Sequence, residues 1–436
     1  MDVVDPPLRD QRHVKRYQQL VRSHMHQGQA TSSGPSTRDR PAGFAASQAA
    51  WRFFHNGRVD PVALAEPLRS AGIEASQHET MPLLWVHDWS HLSFGSHKGK
   101  PDLLQRSHGN DVGYDLATAL WVSGDDGSPL APMQMHLAAG DGLHSSSDNP
   151  PAVETPPVDQ VQPTMDRSLQ WGLERPLVHV IDREGDSVGH YQQWDEAHHW
   201  FLVRGDDRSV QWGDEQWHLS EIVPQISEQN GFRERGEVTY QDQIAWQYVA
   251  ETPVTLNRPA KHRNAGQQQA VPGGALPLRL VISQVRDAQD NELATWLLLT
   301  NVPADHASAE TIALWYYWRW QIESFFKLLK SHGHQIEHWQ QQSAEAIFRR
   351  LLVAAMACVC VWDLPRRTDE AADRLKAVLI QLSGRQTKRQ QPVTAPALLS
   401  GLFVLLPMLE LLQQENGDLS GIQDLAEQAL PLLSPE

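Results

Sequence analysis

The sequence predicts an α/β fold with helical segments at both ends of the chain. Short apolar runs with strand character precede a segment with helical spacing, and another buried strand-like run follows that segment. From about residue 205 to 295 the chain has little helical periodicity, and beyond it helical patterns dominate. With 436 residues, 40% of them hydrophobic, the chain is long enough for two or three domains with substantial cores.

The first half of the chain is predicted to contain a helical N-terminal domain followed by the start of a sheet. Helical spacing over Arg12–Arg22 and Gln48–Phe54 assigns residues 1–75 to that domain. The next predicted elements are three strands, one helix and one buried strand: Leu83–His87, Asp115–Val122, Met133–Ala138, Met165–Leu173 and Leu177–Ile181.

The second half is predicted to begin with a β-rich insertion at about residues 205–295. Its strand-like pieces are Val210–Trp212, Gln216–Leu219, Glu237–Tyr240, Trp246–Val249 and Leu278–Val285. We then expect a buried strand over Trp296–Thr300, one long amphipathic helix over Ala309–Ser331, and helices in residues 341–436. Composition predicts four linkers or long loops: His24–Gly43, His144–Thr164, Pro259–Pro277 and Ser383–Pro396.

The charge balance argues against a simple nucleic-acid binder. The chain has 37 Lys and Arg against 53 Asp and Glu, a net charge of −16, whereas phosphate neutralisation needs local positive charge. The charge is unevenly distributed, since residues 1–75 have a net charge of +3 and residues 76–340 a net charge of −17. Leu8–Arg40 alone carries +5, so a DNA-handling protein would grip DNA chiefly there.

The two cysteines and the apolar runs indicate a soluble, cytoplasmic protein. Cys358 and Cys360 lie two positions apart in Leu351–Trp362, which favours neither a disulfide framework nor a zinc site. The first residues lack the charged and apolar regions of a signal peptide. The longest apolar runs are too short or too interrupted to span a membrane, so no membrane partner is expected.

Two aspartates mark the ends of predicted strands. Asp88 follows Leu83–His87, and Asp182 follows Leu177–Ile181. Acidic residues at strand ends lie where α/β sheets usually bind ligands. Either aspartate alone is also explained as a turn former or a helix N-cap.

The predicted helix Ala309–Ser331 carries a more specific pattern. Tyr316, Arg319, Glu323 and Lys330 fall within a sector of about 60° on an ideal helix. A solvated face with an ordinary Arg319–Glu323 pair is the alternative. The helix is apolar over most of its remaining surface, which indicates burial and places the charged residues along a cleft.

Three carboxylates at one cleft indicate a divalent-metal site that acts on phosphate. Mg²⁺ and Mn²⁺ prefer carboxylate oxygens, and Mg²⁺ keeps part of its coordination shell free for phosphate. Two such ions can activate a nucleophile and stabilise the leaving oxygen of an in-line displacement. Arg319 and Lys330 could then balance the charge of the phosphate.

At these residues the sequence resembles bacterial DDE transposases of the insertion-sequence-four family, to which the Tn-five element's enzyme belongs. Asp182-Arg-Glu-Gly-Asp186 resembles their D-R-E-A-D signature, with Gly185 in place of Ala. Tyr316, Arg319, Glu323 and Lys330 match the Y-R-E-K signature at every spacing. The resemblance extends from about Asp10 to His338 and includes Trp85–Phe94, although Trp89 and His91 depart from the family pattern.

The resemblance implies an RNase H-like catalytic domain over residues 76–340, with the β-rich insertion before the catalytic glutamate. By position, Asp88, Asp182 and Glu323 would bind two Mg²⁺ ions, for which Mn²⁺ can substitute. The implied reaction is hydrolysis at transposon ends, hairpin formation, and joining of 3′-hydroxyls to target DNA. The implied partners are double-stranded DNA with terminal inverted repeats, target DNA and a second copy of the chain.

The resemblance also assigns DNA contacts and leaves alternatives open. Tyr316, Arg319 and Lys330 would contact end phosphates, and Trp296 would stack on a flipped base. Trp296 could equally be a core aromatic residue that opens a buried strand. Residues 341–436 do not clearly match the family, so their expected role in assembly is open. The alternative functions are a metal-dependent nuclease without transposition and a catalytically silent DNA-binding regulator.

Overall fold

The computed structural model describes residues 4–414 except 27–39, 98, 153–154, 174, 230, 242, 258–259, 265–266, 272–273, 332 and 385–392. The predicted linkers His24–Gly43 and Ser383–Pro396 lie largely outside the described residues, as does part of Leu8–Arg40. The described α-helices are α1 Gln11–His26, α2 Arg40–Phe54, α3 Pro61–Ser76, α4 Val161–Ser168, α5 Val188–Glu196, α6 Leu219–Glu228, α7 Ala309–Trp318, α8 Trp320–Leu329, α9 Ala344–Arg366, α10 Glu370–Leu382 and α11 Ala395–Gln414.

The described strands form one large sheet and one separate hairpin. They are β1 Leu83–Ser93, β2 Leu104–Gln105, β3 Val112–Val122, β4 Pro129–Ala139, β5 Gly142–Ser145, β6 Leu177–Ile181, β7 Trp200–Arg204, β8 Ser209–Trp212, β9 Glu215–His218, β10 Arg233–Tyr240, β11 Gln243–Leu256, β12 Ala260–Asn264, β13 Gln267–Val271, β14 Leu276–Arg286 and β15 Glu292–Thr300. The large sheet has the order β5-β4-β3-β1-β6-β7-β15-β14-β11-β8-β9, with β2 on β3 and β10 on β11.

The part of this sheet that positions the site runs from β4 through β3, β1 and β6 to β7. The β1–β3 and β3–β4 pairs are antiparallel, whereas β1–β6 and β6–β7 are parallel. Parallel neighbours need a crossover connection, and α4 and α5 lie in the two crossovers. The strands predicted at Leu83–His87, Asp115–Val122, Met133–Ala138 and Leu177–Ile181 are present. This mixed α/β architecture is compatible with an RNase H-like core.

The parallel pairing of β1 with β6 brings the two aspartates side by side. His87 opposite Ile181 is the last matched pair in the register, and Asp88 and Asp182 are the next residues on each strand. The prediction that Asp88 ends its strand is wrong, because β1 continues to Ser93 by pairing with β3, where Asp88 faces Thr118. Asp182 does follow the last residue of its strand.

Three other predictions need correction. The insertion, predicted to have little helical character, contains α6, whose Leu219, Ile222 and Ile226 recur at helical spacing and are buried. The predicted loop Pro259–Pro277 contains the β12–β13 hairpin. The helix expected over Met165–Leu173 instead begins at Val161 and continues as a 3₁₀ turn over Leu169–Trp171.

The helix predicted as continuous over Ala309–Ser331 is interrupted at Arg319. Ser308 caps the start of α7 by accepting a hydrogen bond from the Thr311 N–H at 3.2 Å, and α7 ends at Trp318. The N–H of Arg319 then bonds to the carbonyl of Tyr316, three residues back, at 3.1 Å. Such a tightened turn marks a break in the regular i→i−4 ladder.

The helical ends of the chain pack together on α9, which is buried along nearly its whole length. Helices α1, α2 and α3 all contact α9, so the N-terminal helices rest on the first helix of residues 341–436. Cys358 is buried and both cysteines are free thiols. Among the described residues, no helix is both long and apolar enough to cross a membrane.

Candidate active site

Arg319 is the centre of the candidate site. Its side chain is only 5% exposed, and its guanidinium contacts three carboxylates from three different elements. Nη1 lies 3.3 Å from Asp88 Oδ2, while Nη2 lies 3.4 Å from Asp182 Oδ2 and 2.8 Å from Glu323 Oε1. The sequence predicts these residues at one cleft, and the structure brings all four together.

Asp88 is the most desolvated of the three carboxylates. Its Oδ1 accepts a hydrogen bond from the Trp89 N–H at 2.8 Å. Burial raises the pKa of Asp88 to about 6, and the charges of Glu323 and Asp182 act in the same direction, while Arg319 and the Trp89 N–H oppose the shift. Without the guanidinium or another cation, the pKa of the Asp88 carboxyl group would be higher still.

Asp182 is held as an anion by several donors. It caps the 3₁₀ turn Arg183–Gly185 by accepting the Arg183 N–H at 2.8 Å. The Tyr316 hydroxyl donates to its Oδ1 at 2.9 Å. Burial acts to raise the pKa of Asp182, but Arg319 and these two hydrogen bonds outweigh burial and hold the pKa below its usual value.

Glu323 lies in the first turn of α8, four residues after Arg319. Carboxylates are favoured in the first turn of a helix, and the i, i+4 spacing lets Glu323 meet the guanidinium on the same face. Burial alone would lower the pKa of Arg319, yet Tyr316 and the three carboxylates raise it, so Arg319 stays charged. The Arg319–Glu323 pair of the alternative interpretation therefore exists, but its guanidinium is buried among three carboxylates rather than on a solvated face.

Tyr316 and Trp296 pack beside the carboxylates. The Tyr316 ring is buried, and its centroid lies 5.9 Å from that of Trp296. Trp296 is itself only 6% exposed and also contacts Tyr240. In this conformation Trp296 is a core aromatic residue, and stacking on a DNA base would require its ring to become accessible.

Lys330 lies at the C-terminal end of α8, where its N–H still bonds to the carbonyl of Phe326. The Lys330 ammonium donates to the carbonyl of His91 and lies 3.9 Å from Glu337 Oε1. Burial lowers the pKa of Lys330. The ammonium is therefore tied to β1 through the His91 carbonyl, and in the described part of the chain it makes no ion pair with Asp88, Asp182 or Glu323.

Arg204 is a site neighbour that sequence reasoning missed. It ends β7, the strand parallel to β6, and its Nη1 lies 3.8 Å from Asp182 Oδ1. The sequence signal was the basic residue directly after the buried run Phe201–Val203, at the same sheet edge as Asp182.

The donor set suits a hard divalent cation, but the carboxylates surround a guanidinium here. Carboxylate oxygens are the ligands that Mg²⁺ and Mn²⁺ prefer. Within the described part of the chain, no three acidic, His or Cys side chains are arranged to hold a metal ion. The carboxylate oxygens of Asp88, Asp182 and Glu323 lie 2.8–3.4 Å from the Arg319 nitrogens, so an ion would compete with the guanidinium for the same oxygens.

Two of the three carboxylates lie in a segment of the chain that matches a known protein family. Residues 156–360 match the family model described as Transposase DDE domain. The match supports a DDE transposase. It contains Asp182 and Glu323 and begins after Asp88, which joins them through the β1–β6 pairing. A DDE transposase uses divalent metal ions and acts on DNA. The carboxylates of this site are the kind of ligand that such ions need. No curated protein matches the chain.

Proposed function

We propose that the chain is a DDE transposase of the insertion-sequence-four family that cuts DNA at terminal inverted repeats and joins the freed ends to target DNA. The observation that carries the proposal is the convergence of Asp88, Asp182 and Glu323 on one guanidinium. These residues come from β1, the end of β6 and α8, so only the folded chain assembles them. The match over residues 156–360 supports the same reaction class.

The three carboxylates would hold two Mg²⁺ ions, with Mn²⁺ able to substitute. When bound, such ions activate the attacking oxygen and stabilise the leaving oxygen of phosphoryl transfer. Asp182 is kept ionised by the Tyr316 hydroxyl and the Arg183 N–H, so it is ready to act as a ligand. Tyr316 also fixes the orientation of the Asp182 carboxylate, because it takes one oxygen while the other remains toward Arg319.

The DNA backbone would be held by basic side chains at the site and on α1. Arg319 has the planar fork that binds phosphate through two parallel hydrogen bonds. Lys330 would reach a phosphate only after leaving the His91 carbonyl, and Trp296 would stack on a flipped base only after exposure. On α1, three basic side chains are exposed while Val14, Leu20 and Val21 are buried, which supports a DNA-facing basic surface; the exposed basic residues are Arg12, Lys15 and Arg22.

A second copy of the chain would complete the active assembly. Cut-and-paste transposition must hold two DNA ends at once, which a homodimer does by symmetry. The C-terminal helix α11 exposes Val404, Met408 and Leu409, and this apolar surface supports a contact made by residues 341–436. We place the protein in the bacterial cytoplasm, at the nucleoid when it acts.

The test uses DNA that carries the inverted repeats flanking the gene in its source genome. Purified full-length protein with Mg²⁺ should nick these ends, form hairpins and transfer strands, whereas Asp182→Asn and Glu323→Gln should lose all three products. The exposed Asp305→Asn is the matched control and should retain them. Wild type and Asp182→Asn behaving alike would refute the catalytic assignment.

The products also separate the alternatives. Cleavage without hairpins or strand transfer would identify a metal-dependent nuclease. A gel shift of end-containing DNA without cleavage in either Mg²⁺ or Mn²⁺ would identify a silent regulator. Either outcome would overturn the proposal of an active transposase.

A further inference from the structure

We infer that Arg319 is a positioning residue that occupies the metal site of the DNA-free protein and leaves it when a DNA phosphate binds its guanidinium. Metal binding and DNA binding would then be coupled through one side chain. This inference rests on the proposed function, because it takes the three carboxylates as the metal ligands and DNA phosphate as the anion.

The first supporting observation is the charge arrangement. The guanidinium contributes one positive charge to three carboxylates, and it is 5% exposed while they are 23–33% exposed. Arg319 therefore lies at the centre of the cluster, where an ion would have to be, with the carboxylates around it. A divalent ion and the guanidinium compete for the same oxygens, so the free protein should bind metal weakly.

The second observation is that the guanidinium is incompletely satisfied. Arginine has five N–H donors in a fixed fork. Among the described residues, nothing accepts a hydrogen bond from the buried Arg319 Nε. A buried donor without an acceptor costs free energy, and this cost offsets part of the stabilisation that Arg319 gains from the three carboxylates. A phosphate can accept two hydrogen bonds from such a fork and offers the missing acceptor.

The third observation is that Arg319 lies in the turn between α7 and α8, close to an aromatic ring against which its guanidinium can pack. The regular helix stops at Trp318 and restarts at Trp320, and at Arg319 i→i−3 hydrogen bonds replace the i→i−4 ladder while the backbone stays helical. Its Cζ lies 5.4 Å from the ring of Trp320, which is 44% exposed. An arginine favours the face of an indole, so the guanidinium can turn toward the surface without losing all its contacts.

The consequence is a reciprocal coupling. Once phosphate takes the guanidinium, the carboxylates lose their counter-ion and attract the divalent cation more strongly. Linkage requires that metal raises DNA affinity by the same factor by which DNA raises metal affinity. Allosteric couplings of this kind commonly amount to about 5–150-fold, and we expect about tenfold or more here.

The test measures Mn²⁺ binding by electron paramagnetic resonance, which needs no turnover. Full-length wild type, Arg319→Gln, Arg319→Lys and Arg204→Gln are each titrated with Mn²⁺, alone and with an inverted-repeat duplex or a mixed-sequence duplex of equal length. Binding by the duplex alone is subtracted. Arg204→Gln is the matched control, because it removes a positive charge that contacts only Asp182, at the longer distance of 3.8 Å.

Arg319→Gln should bind Mn²⁺ about tenfold more tightly than wild type without DNA, and the duplex should no longer raise its affinity. Arg319→Lys keeps the charge without the fork and should fall between them. Equal Mn²⁺ affinity of wild type and Arg319→Gln would overturn the inference. So would an equal gain in Arg204→Gln, or an undiminished effect of DNA on Arg319→Gln.

Two readouts keep this test separate from the proposed function. Circular dichroism checks that each variant is folded, and Arg319→Lys still decides the question if Arg319→Gln is not folded. The comparison of free wild type with the Arg319 variants involves no DNA and no cleavage. Failure of the transposase proposal would appear as absent cleavage with the Mn²⁺ differences intact, whereas failure of this inference would remove those differences.

Discussion

Two buried arginines lie in different regions of the molecule and differ in what surrounds them. Arg319 in the carboxylate site (Asp88, Asp182, Glu323 and Arg319) is bound by partly exposed anions and has an unpaired Nε. Arg349 in the helix anchor is 1% exposed, donates to the carbonyls of Val59 and Phe54 at 2.6 and 3.0 Å, and pairs with Glu345. We define the helix anchor as α9 with the segment Phe54–Val59 that it holds.

These surroundings indicate that Arg349 stabilises the fold, whereas Arg319 is available to function. Arg349 satisfies backbone carbonyls that have no other described donor side chain and ties the N-terminal helices to α9. Arg319 neutralises carboxylates that a metal ion could neutralise instead. Loss of Arg349 should therefore cost stability, whereas loss of Arg319 should chiefly change metal binding.

The largest expected effect on stability is that of Arg349→Met. Two buried carbonyls would lose their donor, at about 1–3 kcal/mol each, so the free energy of unfolding should fall by about 3 kcal/mol. Arg319→Gln should cost less stability than Arg349→Met, because water reaches its partly exposed carboxylates and can solvate them in its place. Urea unfolding of both variants measures the difference. A larger loss for Arg319→Gln would reverse the assignment of roles.

Acidification should weaken both regions through buried neutral histidines. Burial lowers the pKa of His136, beside the site, to about 4 and that of His334, beneath α9, to about 3. Because the unfolded chain binds these protons near pH 6.5 and the folded chain does not, stability is lost as the pH falls below about 6.5. Each histidine should lower the free energy of unfolding by about 2 kcal/mol between pH 7 and 5.

Urea unfolding at pH 7 and 5 tests this expectation. His136→Asn and His334→Asn should each show a pH dependence about 2 kcal/mol smaller than that of wild type. The exposed His78→Asn is the control and should keep the wild-type dependence. An unchanged dependence in both buried variants would show that other groups control acid stability.

The smallest expected effect concerns two glycines, one in each region. A Cβ on Gly185 would lie 2.6 Å from Ile181 Cγ2, so Gly185→Ala should shift the turn that carries Asp182 and destabilise the protein by about 1–2 kcal/mol. Gly57, in the helix anchor, has nothing within 4 Å of an added Cβ. Gly57→Ala should therefore change thermal stability by less than about 0.5 kcal/mol. Equal melting temperatures for the two variants would contradict this packing argument.

Much of the fold could be predicted because local patterns agree with it. Buried strands such as Leu177–Ile181 have continuous apolar runs, and they form where expected. The break at Arg319 could not be predicted, since nothing in Trp318–Trp320 disfavours a helix, whereas the carboxylates that contact Arg319 there are distant in sequence. The hairpin β12–β13 has a composition typical of a loop and little apolar patterning, so no periodicity indicated it.

The site was predictable as a set of residues but not as an arrangement. Sequence patterns placed Asp88, Asp182 and Glu323 at one site and the structure brings them together, although Asp88 lies within its strand rather than at its end. The sequence could not show that Arg319 occupies their centre, because that depends on side-chain geometry at a helix break. The bond from Lys330 to the His91 carbonyl could not be predicted either, because it depends on how α8 packs against β1.

Mn²⁺ binding by Arg319→Gln, compared with that by the double variant Arg319→Gln/Asp182→Asn, shows whether the three carboxylates form the metal site. If the three carboxylates form the metal site and Arg319 occupies the position of the metal, the single variant binds Mn²⁺ at least about tenfold more tightly than wild type. The double variant then loses that gain. Tight Mn²⁺ binding that survives the loss of Asp182 would place the metal elsewhere and contradict the account.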